Sequence, residues 1–418
     1  MGTKKASTKK PAKVQLNITL AEVQEAKQEL GKYLQPSPLL FNSWLSELFN
    51  CEIFLKLENM QPIGSFKIRG AAYKISKLTR DQKKRGVIAA SAGNHAQGVA
   101  WGSRQLGVNS LIVMPEGAPI VKIQNTKALG AKVILQGSNY DECYQFAHDL
   151  AKKNGRVFVH AFVDEAVIAG QGTIGLEILE QLPDVEYVFG AVGGGGLMAG
   201  VASVLKELKP SVTLVGCQAA GASAMFDSIR DRKPIQLKSV ETFADGIAVG
   251  RSSDLMRKIL AAKVDAWAVV DEQAIAAAVL MLMEKAKIVT EGAGAVSLAA
   301  VESFRKKIRG KKTVLIVSGG NIDVNVLSRI IDLGLIRAGR RVRVNVILLD
   351  RPGSLAQLTD LIGKQGANVL QAIHDRSEPT AQMNQAEVAL TLETRGPEHS
   401  AEVIEVLKKQ VIRLELGE

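Results

Sequence analysis

The chain has 418 residues, 46% of them hydrophobic and 23% charged, and 53 Lys and Arg against 42 Asp and Glu give a formal charge of +11. That length exceeds one average domain and that apolar share suffices for sizeable cores, so two or three globular domains are expected and a disordered or fibrous chain is excluded. No apolar run approaches the roughly 18 to 20 residues that cross a bilayer. Cys51, Cys143 and Cys217 are isolated and lack metal spacing, which suits a reducing cytoplasm and reads as three small core residues.

The amino end supplies five of the eleven net charges: Lys4, Lys5, Lys9, Lys10 and Lys13 fall within residues 1–21, which contain no acid. Residues 1–15 are expected to be a disordered, solvated head. Without interleaved aromatics this head does not read as a nucleic-acid arm, and it lacks the apolar core of a secretory signal.

Downstream, Ser65-Phe66-Lys67-Ile68-Arg69-Gly70 sets a lysine among small and apolar neighbours. A desolvated lysine has a lowered pKa and its neutral amine can attack a carbonyl. A β-like run at 86–90 leads into Ser91-Ala92-Gly93-Asn94-His95, and a helical stretch follows over 96–106. Backbone N–H groups at such a helix start can receive a carboxylate. Further β-like runs at 111–114, 132–135, 157–159 and 213–215 alternate with helical stretches, the pattern of α/β layers with largely parallel strands.

Residues 186–192 are β-like and mostly apolar; Gly193 to Gly196 follow, and Leu197 to Lys206 has helical spacing. Strand, glycine turn and helix start together make an anion site suited to one phosphate. The glycines are consecutive, unlike the spaced glycines of a dinucleotide fingerprint. The apolar strand 313–317 ends at Ser318, followed by Gly319-Gly320-Asn321.

A second module begins near Arg340. Residues 342–349 alternate early, Asp350-Arg351-Pro352-Gly353-Ser354-Leu355 turns into a helix with Leu355, Leu358, Leu361 and Ile362 on one face, and strands are predicted at 366–369, 386–392 and 411–416 with a helix over 397–409. The order βαββαβ is the ferredoxin-like pattern.

Taken in order, SFKIRG (65–70), SAGNHAQG (91–98), AGQGTIGLE (169–177), GGGGLMAG (193–200), ADG (244–246), TEGAGA (290–295) and SGGNID (318–323) closely resemble the threonine dehydratase (threonine ammonia-lyase) family over roughly residues 20–335. That family belongs to the tryptophan-synthase β-like class of pyridoxal-phosphate enzymes, fold type II with two α/β subdomains. The resemblance implies pyridoxal 5'-phosphate as cofactor, with Lys67 as its Schiff-base lysine and the base at Cα. It further implies that Phe66 packs against the ring, Asn94 meets the ring oxygen, and Gly193, Gly194, Gly195, Gly196 and Leu197 hold the phosphate. Ser318 would face the pyridine nitrogen. Ser91, Gly93, Asn94 and His95 would receive the substrate carboxylate. A neutral hydroxyl at Ser318 cannot hold the ring nitrogen protonated as a carboxylate would, which favours β-elimination over transamination.

Serine racemases and serine dehydratases share most of these motifs. Racemases of this fold carry a second serine where this chain has Ala92, and an alanine cannot transfer a proton on the opposite face of Cα. The stretch 218–224 lacks the carboxylates that divalent-cation sites in relatives use, so no metal is expected.

The second module, with DRPGSLAQL (350–358) and GANV (366–369), looks like an ACT domain. On that resemblance Gly353, Ser354, Leu355 and Asn368 would line an amino-acid effector site between two such domains. The sequence therefore leads to a head (1–15), a catalytic domain (16–335) and a regulatory domain (340–418) of a cytoplasmic homo-oligomer, dimer or tetramer. The expected reaction is dehydration and deamination of L-threonine to 2-oxobutanoate and ammonia, with L-serine as a slower substrate and no nucleic-acid or membrane partner. A serine dehydratase or racemase, or a catalytically silent amino-acid sensor, stands as the alternative.

Overall fold

A computed structural model describes residues 18–376 and 382–417, which form two compact units divided between Asp323 and Val324. The lysine-rich head at 1–15 lies outside the described residues.

The first unit holds two sheets. The larger runs Leu39–Phe41, Glu52–Leu57, Lys312–Val317, Tyr187–Ala191, Thr213–Ala219 and Ala266–Val270 in spatial order; only its first pair is antiparallel. The smaller, Lys132–Leu135, Ser110–Met114, Val87–Ala90 and Val157–Phe158, is wholly parallel. Val87–Ala90 and Ser110–Met114 are buried at every position, as befits parallel strands covered on both faces. Helix starts follow sequence chemistry: Asn139, Asp164 and Asp271 each accept a backbone N–H three residues on.

Glycines set the packing of the central helices. A Cβ on Gly170 would lie 2.6 Å from the Gly70 Cα, so the helices Lys67–Ser76 and Glu165–Gln181 touch backbone to backbone. Likewise, a Cβ on Gly98 would lie 2.9 Å from the Lys67 carbonyl oxygen, which draws the helix Asn94–Gln105 onto the same neighbour. The 169–177 motif is thus a packing surface.

A buried ionic cluster fixes the helix that begins with Lys67. Arg69 reaches Glu58 at 2.8 Å and Glu177 at 2.5 Å, and Lys56 reaches Glu177 at 2.6 Å, all with side chains at most 5% exposed. Burial lowers the guanidinium pKa, but the two carboxylates outweigh it and hold Arg69 charged. The three cysteines are buried and unpaired, and burial raises the pKa of each thiol.

The second unit carries the sheet Asn368–Asp375, Gln385–Glu393, Arg341–Leu349, Arg413–Leu416, antiparallel throughout. Its core joins Val344, Val346 and Leu390 to Leu358 and Ile362 of the helix Ser354–Lys364 and to Val403 and Leu407 of Pro397–Lys408. This is the βαββαβ order read from the sequence, preceded by the helix Val324–Arg337. Among the described residues no helix is long and apolar enough to cross a membrane.

Candidate active site

The carboxyl ends of the parallel strands converge on a cavity of about 1360 Å³, where open α/β sheets gather their loops and free backbone groups. Ser91 and Gly93 follow the strand Val87–Ala90, His160 and Phe162 follow Val157–Phe158, Gly193 to Gly196 follow Tyr187–Ala191, and Ser318 follows Lys312–Val317. With Phe66, Lys67, Asn94, His95 and Leu197, these bring together every site residue expected in the first unit.

Lys67 opens the helix Lys67–Ser76. Its Nζ donates to the Ala161 carbonyl at 3.2 Å and lies 5.1 Å from the centre of the Phe66 ring. Burial pushes its pKa down to about 8, against the pull of the Glu291 carboxylate. A sizeable fraction of the amine is therefore neutral near physiological pH.

At the glycine run, Gly195 has φ +93° and caps the helix Gly196–Leu208. The backbone N–H groups of Gly194, Gly195, Gly196 and Leu197 find no acceptor among the described residues. A Cβ on Gly194 would overlap the Phe162 ring, and one on Gly196 would lie 2.9 Å from the Phe162 Cβ. Unpaired donors at a helix start, in a hollow that side chains would fill, make a cradle for a phosphate.

Ser318 is buried and its hydroxyl donates to the Ala293 carbonyl at 3.2 Å. His95 shares Nε2 with the Val159 carbonyl at 2.9 Å, while its buried Nδ1 has no partner among the described residues. Burial, with Lys67 adding to it, pushes the His95 pKa down to about 3, and the same causes push His160 to about 4. Both rings are neutral at working pH, so neither competes with Lys67 as a cation.

Asn94 starts the helix Asn94–Gln105. Its Nδ2 donates to Glu291 at 2.8 and 3.0 Å, and its Oδ1 accepts from Asn321 at 2.7 Å. At the cavity rim Lys122 pairs with Asp245. Glu291, Asp245 and Asn321 lie in segments that carry the family resemblance, which gives those three residues no task. Phe162 and Lys122 lie in no glycine-rich signal, so nothing local in the sequence marks them.

Gln218, in the stretch read as lacking cation ligands, spends its amide on Ala222 and Phe226. Among the described residues no cluster of His, Cys, Asp and Glu could hold a metal ion.

In the second unit Gly353, with φ +89°, caps the helix Ser354–Lys364, and Leu355 packs partly into the core. Asn368 starts the strand that follows that helix, and its Nδ2 reaches Glu393 at 3.4 Å. An 11-residue helix spans about 16 Å, so one copy does not bring Gly353, Ser354 and Leu355 together with Asn368.

The family model for "Pyridoxal-phosphate dependent enzyme" matches residues 31–320, and that for the ACT domain matches 342–411. An L-threonine ammonia-lyase of Thermotoga maritima is 47% identical over 390 residues, 93% of this chain and 97% of that one. Among solved structures, the processed form of threonine deaminase isoform 2 from Solanum lycopersicum matches at a TM-score of 0.72 with 35% identity, covering 78% of this chain and 94% of that one. Maize serine racemase matches at 0.72 with 31% identity, covering 76% and 98%.

Proposed function

We propose that this chain, which belongs to the pyridoxal-phosphate-dependent enzyme family and carries a C-terminal ACT domain, is a threonine ammonia-lyase converting L-threonine to 2-oxobutanoate and ammonia. The observation that carries the reading is one cavity holding both a lysine of lowered pKa and a run of unpaired backbone N–H groups. Those groups fit pyridoxal 5'-phosphate: a phosphate at Gly194 to Leu197, an amine at Lys67, and a hollow that a Cβ on Gly194 would fill.

Bound there, the cofactor supplies a carbonyl carbon for an amine and a conjugated ring that draws electrons from the substrate's Cα. Gly193, Gly194, Gly195, Gly196 and Leu197 would hold its phosphate, Phe66 would pack on its ring and Ser318 would meet the ring nitrogen without adding charge. Ser91, Gly93, Asn94 and His95, at a helix start, would hold the substrate carboxylate. Lys67 is the group that takes the proton from Cα, because its neutral amine is well populated near pH 8. The β-hydroxyl leaves as water, and a water molecule then adds at Cα, so that the nitrogen leaves as ammonia and the added oxygen becomes the keto oxygen. One methyl group is worth about 1 to 3 kcal/mol of discrimination, so L-serine should give pyruvate more slowly.

A serine racemase shares the fold, but Ala92 lines the cavity without a proton to give. We assign the catalytic domain to 16–335 and the regulatory domain to 340–418, although the compact units divide after Asp323 and the helix Val324–Arg337 falls in the second. The regulatory domain would bind an amino acid between two copies, Gly353, Ser354 and Leu355 of one facing Asn368 of the other, in a cytoplasmic dimer or tetramer that serves amino-acid metabolism such as isoleucine synthesis. Keto-acid release from L-threonine and L-serine by purified, cofactor-loaded protein tests the reading; D-serine as the main product, or no keto acid, would replace it.

A further inference from the structure

Three sequence segments meet at one side chain that the proposed chemistry leaves without a task. Glu291, of 290–295, is 3% exposed. Gly319, of 318–323, and Gly246, of 244–246, close on its Oε1: a Cβ would lie 2.5 Å from that atom on the first and 2.9 Å on the second. The Glu291 backbone N–H donates to the Gly319 carbonyl at 3.1 Å, and the Thr290 hydroxyl to the same oxygen at 2.8 Å. Glycine at both places leaves a recess shaped for a carboxyl, which any larger residue would close.

Asn94 holds that carboxyl with Nδ2, and Asn321 holds Asn94 from behind, its own Nδ2 also reaching the Ile63 carbonyl at 2.8 Å. The two contacts specify the Asn94 amide. Turned over, it would set oxygen against carboxylate and N–H against N–H.

The charges around Glu291 are few. The carboxyl groups lining the cavity are Asp141, Asp245, Asp254, Glu291 and Asp323, and Glu291 alone of these is buried. It faces Asp245 as a like charge and Lys122 and Lys67 as opposite ones. Lys67 in turn is flanked by the neutral rings of His95 and His160. Burial, with Asp245 adding to it, pushes the Glu291 carboxyl up to about 7. Its charge therefore changes in the range where Lys67 must exchange a proton.

We propose that Glu291 is a positioning residue of this site: it fixes the Asn94 carboxamide through the chain Glu291–Asn94–Asn321 and supplies the counter-charge under which Lys67 takes up and releases a proton. The inference rests on the reading of the cavity as a pyridoxal-phosphate site.

Glu291→Gln keeps the shape and an acceptor for Asn94 but removes the charge; Asn321→Ala keeps the charge and frees the amide. The experiment titrates the visible absorbance of bound cofactor against pH in each holoenzyme and measures kcat and KM for L-threonine. Glu291 acts on Lys67 as an opposite charge; such a partner shifts a group toward its charged form by about 1 to 3 units, so Glu291→Gln should move the absorbance midpoint down by about one unit or more. The lost counter-charge in Glu291→Gln and the loosened amide in Asn321→Ala should each lower kcat about 10- to 100-fold, with KM changed less than about threefold. Asn321→Ala should leave the midpoint near its wild-type value. An unmoved midpoint in Glu291→Gln, or a kcat within about twofold of wild type, overturns the proposal by the same scale. If Glu291→Gln does not fold, unchanged kcat in Asn321→Ala overturns it. Wild-type protein that shows neither cofactor absorbance nor keto-acid release overturns the underlying reading, and this proposal with it.

Discussion

The backbone N–H of Phe66 donates to the carbonyl of Ser318 at 3.1 Å, stitching the loop that delivers Lys67 to the end of the strand Lys312–Val317. An isolated bridge between Ser65 and Gly319 continues the contact. Two segments far apart in the chain thus form one wall, and the lysine and the strand-end serine face the same space because of it. Arg69, two residues past Lys67 and anchored on Glu58 and Glu177, holds the other end of that loop.

Lys67→Ala is expected to abolish the visible absorbance of bound cofactor and to lower turnover by more than about 100-fold, the lower bound for loss of a general base. In the wild type, only the neutral amine reacts with a carbonyl. The rate of cofactor uptake by apoenzyme should therefore rise with pH and level off above about 8, following the lowered pKa of Lys67. Stopped-flow absorbance between pH 6 and 9 checks both sign and midpoint.

Gly194→Ala places a methyl group where the Phe162 ring already sits. Overpacking costs about 1 to 3 kcal/mol, so the cofactor dissociation constant should rise by about 5- to 150-fold. Trimming the obstacle with Phe162→Ala in the same chain should recover part of the loss. Equilibrium titration with pyridoxal phosphate measures both variants.

Glu177→Gln breaks a buried ionic cluster and should destabilise the first unit by about 3 to 5 kcal/mol at neutral pH. Burial raises the Glu177 pKa, but Arg69 and Lys56 outweigh it and hold the carboxyl below its ordinary value. A depressed folded pKa stabilises above the unfolded value of about 4.3 and loses that contribution as pH falls through the folded one. The gap in unfolding free energy between wild type and variant should accordingly shrink below pH 4, which denaturant titrations in acid will show.

Wild-type protein given L-serine should release pyruvate with little D-serine, since Ala92 offers no proton. Ala92→Ser restores a hydroxyl at the cavity wall and should introduce measurable D-serine. Chiral chromatography separates the two products, and abundant D-serine from the wild type would contradict the elimination reading.

In the second unit, if it senses an amino acid as proposed, Asn368→Ala should weaken the response of threonine turnover to an added amino acid and leave effector-free turnover unchanged. A coupling of about 1 to 3 kcal/mol corresponds to a 5- to 150-fold change in affinity. Calorimetry with a panel of amino acids, together with turnover assays, reads both quantities.

The order of elements and the lysine that the structure places in the cavity were legible in the chain because their signals are local. The strand 187–191, the glycines that follow and the helix at 196–208 are a hydrophobic run, a turn without Cβ atoms and a 3.6-residue period, all contained in one window. The same holds for the βαββαβ order of the second unit. Local signals do not say which charged residue is buried. Glu291 and Glu177 read as ordinary carboxylates in sequence; one faces Asn94 in a recess between two glycines, and the other is neutralised by Arg69 and Lys56. Only the tertiary structure assigns those partners, because the free energy of a buried charge depends on groups that other segments deliver. Distance works the same way. Gly353 and Asn368 look adjacent as motifs, yet the rigid helix between them, Ser354–Lys364, keeps them apart in a single copy, since a helix converts sequence separation into a fixed length.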